Sequence, residues 1–108
     1  MLDKKNFYIN GQWIKPNSSD EIKVIDPATE DNCAVITLGN KADVDMAVNA
    51  AKNAYESWAF SSKDERIGLL EKLYENYKKR WPDIAEAITL EMGAPKDFAS
   101  KLQTGTGA

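Results

Sequence analysis

Histidine is absent from this chain, which removes the commonest general base and the commonest metal ligand together. Cysteine occurs once, at Cys33, so no internal disulfide can form, as suits a reducing compartment. No apolar run approaches the roughly 18 residues a membrane span requires. The opening residues, MLDKKNFYIN, lack the apolar centre of a signal peptide. Together these absences predict a cytoplasmic protein with no membrane partner. A net charge of −3 argues against nucleic acid as a partner. There is no internal repeat and no low-complexity tract.

What is present is an ordinary globular composition, 43% hydrophobic and 29% charged, in 108 residues: one domain at most, or a piece of one. The strongest pattern runs from Asn40 to Gly93. Asn40 is a good N-cap, and Asp43 places negative charge in the first turn, where the helix dipole favours it. Val44, Ala47, Val48, Ala51, Ala54, Tyr55 and Trp58 then recur on one face of a 3.6-residue period. This predicts a helix from about Lys41 to Ala59, roughly 28 Å long. Ser62 and Glu65 form an S-x-x-E capping box that opens a second helix. Ile67, Leu70, Leu73, Tyr74, Tyr77 and Trp81 make its stripe. Pro82 predicts a break near Trp81 and a third helix opening at Pro82, with Ile84, Ala85, Ile88 and Met92 as its stripe. Gly93 fits the left-handed position beyond its end, and Pro95 prevents continuation.

Before this run the sequence reads as strands and turns. Residues 1–6 are polar and expected to fray. Phe7–Ile9 and Gln12–Ile14 flank Asn10-Gly11, the preferred two-residue hairpin turn. Residues 15–20 (KPNSSD) form a loop. Glu21–Ile25 alternates as a half-buried strand, closed by Asp26-Pro27. Cys33–Leu38 is a second, apolar strand closed by Gly39.

Few residues offer chemistry. Cys33 lies in an apolar strand with no histidine to activate it, so a structural role is expected, because low-pKa thiols need electropositive surroundings. Thr104-Gly105-Thr106-Gly107 has the composition of a phosphate loop. It follows a helical stretch rather than a strand, so it is expected to continue a helix or fray. Asp26 beside Pro27 is expected to shape a turn. The clusters 63–66 (KDER) and 78–80 (KKR) read as solvated helix faces. Trp13, Trp58 and Trp81 are expected as core or interface anchors.

These motifs, in this order, resemble the N-terminal part of the NAD(P)-dependent aldehyde dehydrogenase superfamily. The resemblance rests on FYINGQWI, VIDPATE, VITLG, ADVDMAVNAAKNAYESW, the leucine stripe after Glu65-Arg66, and EMGAP, and covers about residues 7–103. It implies an α/β fold: an incomplete cofactor-binding domain spanning residues 1–108, with short antiparallel strands followed by three to four helices. The parallel sheet would be largely absent. It implies oxidation of an aldehyde to a carboxylic acid with NAD or NADP, through a cysteine thiohemiacetal and thioester. Members are several times longer, and their nucleophilic cysteine, general-base glutamate, oxyanion-hole asparagine and nicotinamide-binding glycine motif have no matching position here. No catalytic residue and no cofactor-binding residue is therefore expected in these 108 residues, which alone would be inactive and bind no cofactor. Their partners would be the rest of such a polypeptide or its subunits, with a small-molecule aldehyde as substrate of the whole enzyme. The resemblance also implies a monovalent-cation site, with Glu91 as carboxylate ligand and the carbonyl of Ile25 as a second, whereas the residues alone read Glu91 as a solvated carboxylate near a helix end. Against this stands one alternative, a stand-alone helical interaction module without catalysis.

Overall fold

The computed structural model describes all of residues 1–108. Five strands precede four α-helices, a π-helical turn and a 3-10 turn. The chain forms two compact units. One comprises Met1–Val24 and Asn32–Ser61, the other Ile25–Asp31 and Ser62–Ala108. No helix is long and apolar enough to cross a membrane.

The first unit is built on β5 (Asn32–Thr37), which lies in the middle of a three-stranded sheet ordered β1-β5-β4. A central strand has its backbone groups paired along both edges. Ala34, Val35 and Thr37 are buried. β4 (Glu21–Ile25) takes one edge. The other is taken by β1 (Leu2–Lys4), parallel to β5, with Leu2 opposite Ala34 and Lys4 opposite Ile36. This corrects the expectation that residues 1–6 fray. Local composition is silent on it, because the strand exists to satisfy the backbone groups along the β5 edge.

β2 (Phe7–Ile9) and β3 (Gln12–Ile14) form the expected hairpin, with Phe7 opposite Ile14 and Tyr8 opposite Trp13. Asn10 and Gly11 both take positive φ, at 53° and 76°. That pair of left-handed residues matches the right-handed twist of the strands. The Tyr8 and Trp13 rings lie 5.3 Å apart, centroid to centroid. Trp13 is nevertheless 71% exposed, so it anchors no core among these residues. On the opposite face the Phe7 ring closes on Gly39, where an added Cβ would lie 3.3 Å from Phe7 Cε2. α1 (Lys41–Trp58) starts from Asn40 with both halves of a capping box made with Asp43.

The second unit holds α2 (Lys63–Lys79), α3 (Trp81–Met92) and α4 (Lys96–Phe98). Ser62 and Glu65 make the expected capping box. The break falls at Arg80, and Pro82 occupies the first turn of α3, where its missing N–H is harmless. After α4 the backbone stays right-handed helical but changes hydrogen-bonding pattern. A π-helical turn spans Ala99–Gln103 and a 3-10 turn spans Thr104–Gly107. Aromatic and hydroxyl donors satisfy the carbonyls involved. The Trp81 indole N–H donates to the Ser100 carbonyl at 2.8 Å, and the Tyr77 hydroxyl to that of Thr104 at 2.7 Å. Thr104, fully buried, donates from Oγ1 to the Ala99 carbonyl at 2.8 Å. The Tyr77 and Trp81 rings meet edge to face at 5.8 Å. Trp81 is thus the tryptophan that anchors a packed segment.

α3 ends at Gly93, in the left-handed conformation at φ 69°, and the Gly93 N–H donates to the Thr89 carbonyl. A Cβ at this position would lie 2.8 Å from Cγ of Pro27. Gly93 is therefore required twice, for its φ and for the approach of Pro27. Gly93→Ala is expected to destabilise the fold by about 2 kcal/mol in chemical denaturation, from the left-handed backbone plus the collision. Gly11→Ala, with similar φ but nothing within 4 Å of its added Cβ, is expected to lose less. Equal losses would show that the Pro27 contact contributes nothing.

Candidate functional site

The second unit opens at Ile25, the last residue of β4, and passes at once into a closed turn. The Asp26 carboxylate accepts from the Ala28 N–H at 2.8 Å, the turn-shaping role expected of it. The Asp26 N–H donates to the Asp31 carbonyl at 2.9 Å and the Glu30 N–H to the Asp26 carbonyl at 2.8 Å. Glu30 takes a left-handed φ of 61° to complete the closure. This turn presents the Pro27 ring to Gly93. Ile25 and Glu91 each lie two residues from that contact, one at the end of the strand and one in the last turn of α3. Both are exposed. No three His, Cys, Asp or Glu side chains are grouped so as to hold a metal ion. A carboxylate and a backbone carbonyl are hard oxygen donors of the kind alkali cations take, and they fill only part of such a coordination shell.

Beside this turn lies a groove of about 520 Å³, lined by Asp26, Ala28, Ala85, Thr89, Leu90 and Ser100 among others. Thr89 Oγ1 is buried without a hydrogen-bond partner, and so is Gln103 Oε1 in the π-helical turn. Buried hydroxyls and amides ordinarily find partners.

The first unit contains the residue whose environment the sequence least disclosed. Asp43 is 3% exposed. Its carboxylate accepts from three backbone N–H groups: Asn17 at 2.7 Å, Ser18 at 3.2 Å and Asn40 at 3.0 Å. The Asp43 N–H donates in turn to the Asn40 side-chain oxygen at 3.1 Å. One carboxylate thus caps α1 and holds the 15–20 loop. The Asn40 N–H, then that of Asn17, hold its pKa below the usual aspartate value, against the opposing effect of burial. The N-cap pattern located Asp43 in the sequence, but nothing local signalled the loop. The polar groove next to it, about 830 Å³, is lined by residues of both charges, including Asp3, Lys5, Lys15 and Glu21. Lys5 pairs with Glu21 at 2.8 Å, which raises the lysine's pKa. Mixed charge of this kind offers no single-sign field for a ligand.

The remaining sequence candidates have structural surroundings. Cys33 is half-buried and its Sγ–H donates to the Val24 carbonyl at 3.4 Å. Thr104–Gly107 continues a helical segment, with no strand before it, and so lacks the strand-to-helix geometry of a phosphate cradle. In the 78–80 cluster, Lys78 pairs with Glu75 at 2.7 Å and Arg80 with Asp83 at 2.6 Å, both on exposed faces.

A group whose folded pKa is lowered stabilises the fold above its unfolded pKa and stops doing so as pH falls through the folded value. Asp43 is therefore expected to make the first unit acid-sensitive below the ordinary carboxylate range. Acid titration followed by tryptophan fluorescence should show a transition that Asp43→Asn weakens or removes, with lower stability at neutral pH. An unchanged acid transition in that variant would refute the assignment.

Similarity to known proteins runs through both units. The sequence model described as the aldehyde dehydrogenase family matches residues 13–107. A 3-succinoylsemialdehyde-pyridine dehydrogenase of Pseudomonas sp is 46% identical over 108 residues, 99% of this chain and 23% of that protein. The crystal structure of an aldehyde dehydrogenase from Bartonella henselae superposes with a TM-score of 0.97 at 51% identity, covering 99% of this chain and 22% of that one. Aldehyde dehydrogenase C of Pseudomonas syringae, a mutant solved with NAD+ and octanal, gives 0.91 at 39% identity, over 94% of this chain and 21% of that one. The 108 residues thus span less than a quarter of the length of the relatives they match.

Proposed function

Since the chain belongs to the aldehyde dehydrogenase family, we propose that its 108 residues are the N-terminal part of an NAD(P)-dependent enzyme that oxidises an aldehyde to a carboxylic acid. The observation that carries this reading is α2. It is a 17-residue helix, opened by a full capping box, yet none of its residues is buried. Ile67, Leu69, Leu70, Leu73 and Tyr74 are all exposed. A regular amphipathic helix with its apolar stripe uncovered is a surface made to be covered. The relatives contain more than three-quarters of their length beyond the matched part.

Within that enzyme the segment is scaffold. Catalysis belongs to the remainder: a cysteine thiolate adds to the aldehyde carbon, and water later cleaves the resulting thioester. A nicotinamide cofactor held by that remainder would supply the hydride acceptor. No step of that chemistry is assigned to residues 1–108. The remainder of the polypeptide and neighbouring subunits are their partners, and an aldehyde is the substrate.

The same reading gives Glu91 and the Ile25 carbonyl a monovalent cation. The support is the Pro27–Gly93 approach, since Pro27 follows Ile25 by two residues and Gly93 follows Glu91 by two. A cation held a hundredfold above its Kd would stabilise the folded enzyme by about 3 kcal/mol.

Two measurements test these points. Intact mass of the native gene product is expected to be several times the 12.0 kDa of this chain, and that product should reduce NAD+ or NADP+ in the presence of an aldehyde. A mass matching these residues alone would overturn the enzyme reading and favour a free-standing interaction module. For the cation, thermal melting of the full-length enzyme should rise with added K+ or Na+, and Glu91→Gln should abolish the rise. A salt response that persists in Glu91→Gln would remove that residue from the site.

A further inference from the structure

The Asn10-Gly11 turn has chemistry as well as geometry. Every other asparagine in the sequence precedes a residue larger than glycine. Glycine offers its neighbour's amide no such hindrance. Both turn residues are exposed, and nothing lies within 4 Å of the space a Gly11 side group would fill. The backbone nitrogen of Gly11 is therefore sterically open. What restrains it is the turn itself. With both residues at positive φ, the backbone is folded into the hairpin rather than into the ring in which that nitrogen meets Asn10 Cγ.

The restraint is weak. β2 and β3 have three residues each and form a sheet of two strands only. A two-stranded hairpin is marginal unless one face packs. Phe7, Ile9 and Ile14 are half-buried, while Tyr8 and Trp13 face outward and cover mainly each other. The hairpin has one supported face and one held by a single ring pair.

We propose that Asn10 is a self-modification site whose rate is set by opening of the β2–β3 hairpin. The Gly11 backbone nitrogen loses its proton and attacks Asn10 Cγ. The bond from Cγ to the amide nitrogen Nδ2 breaks, and Nδ2 leaves as ammonia with that proton. The product is a cyclic succinimide. Water then opens either ring carbonyl, leaving aspartate or isoaspartate at position 10. No oxidant or reductant takes part. Aspartate preserves the backbone and adds one negative charge. Isoaspartate adds a carbon to the backbone between positions 10 and 11, which a two-residue loop cannot absorb. The pairing of Tyr8 with Trp13 is then lost.

The experiment incubates the folded full-length polypeptide in warm, mildly alkaline buffer. Tryptic cleavage after Lys5 and Lys23 releases residues 6–23, since Pro16 protects the bond after Lys15. Fragmentation of that peptide in the mass spectrometer scores the exchange of amide for acid separately at Asn10 and Asn17. Chromatography separates the aspartate and isoaspartate forms. Asn10 is expected to convert several-fold faster than any other asparagine, with both products present. Trp13→Ala, which removes the ring pair, should raise the Asn10 rate several-fold. Asn10→Gly, which keeps a favourable turn, should abolish the fast conversion in peptide 6–23. Conversion at Asn10 no faster than at Asn17 would overturn the proposal, and a Trp13→Ala rate equal to wild type would overturn the role of hairpin opening.

Discussion

A single carboxylate holds the first unit together. Asp43 receives backbone N–H groups from Asn17, Ser18 and Asn40 while almost completely removed from solvent. Charge-assisted bonds of this kind are among the stronger ones available to a protein, and an ionised oxygen shielded from water has to be fully partnered. The 15–20 loop, the start of α1 and, through Gly39 and Phe7, the supported face of the hairpin all meet within a few residues of it. Without that carboxylate, three amide donors would be left without acceptors in a place water reaches poorly.

The second unit is governed by close approach rather than by charge. Gly93 ends α3 in a conformation that larger residues resist, and it does so where Pro27 leaves no room for a Cβ. Tyr77 and Trp81 bind the carbonyls of Thr104 and Ser100. A segment that departs from α-helical bonding has two of its backbone carbonyls satisfied by donors carried on aromatic rings. These devices use small residues and ring-borne donors, and they leave the long apolar stripe of α2 free. That stripe fits the family. Its members are several times longer, and the helices of this segment present surface suited to more protein than 108 residues provide.

The local grammar of the sequence was legible. The Asn40 cap, the Ser62–Glu65 capping box, the Asn-Gly hairpin, the Pro82 break, the Gly93 stop and the Asp26 turn form where the residues placed them. Each depends on atoms a few residues apart, so the sequence contains the whole interaction. The family was legible too, because its motifs are local and ordered. The pairing of β1 with β5 was not, since Leu2 meets Ala34 only after the backbone has folded. The π-helical turn was not, since its partners lie on α2 and α3.

By itself, then, the sequence determined the helices, their ends, the hairpin and the family, because capping, glycine φ and proline sterics act over a few residues. Tertiary structure alone decided that Asp43 is a buried acceptor for a distant loop, that Trp81 anchors a segment while Trp13 stays in solvent, and that Pro27 faces Gly93. The reason is the same in each case. Burial and contact between residues far apart in sequence depend on where the backbone has already gone, and a residue's immediate neighbours do not record it.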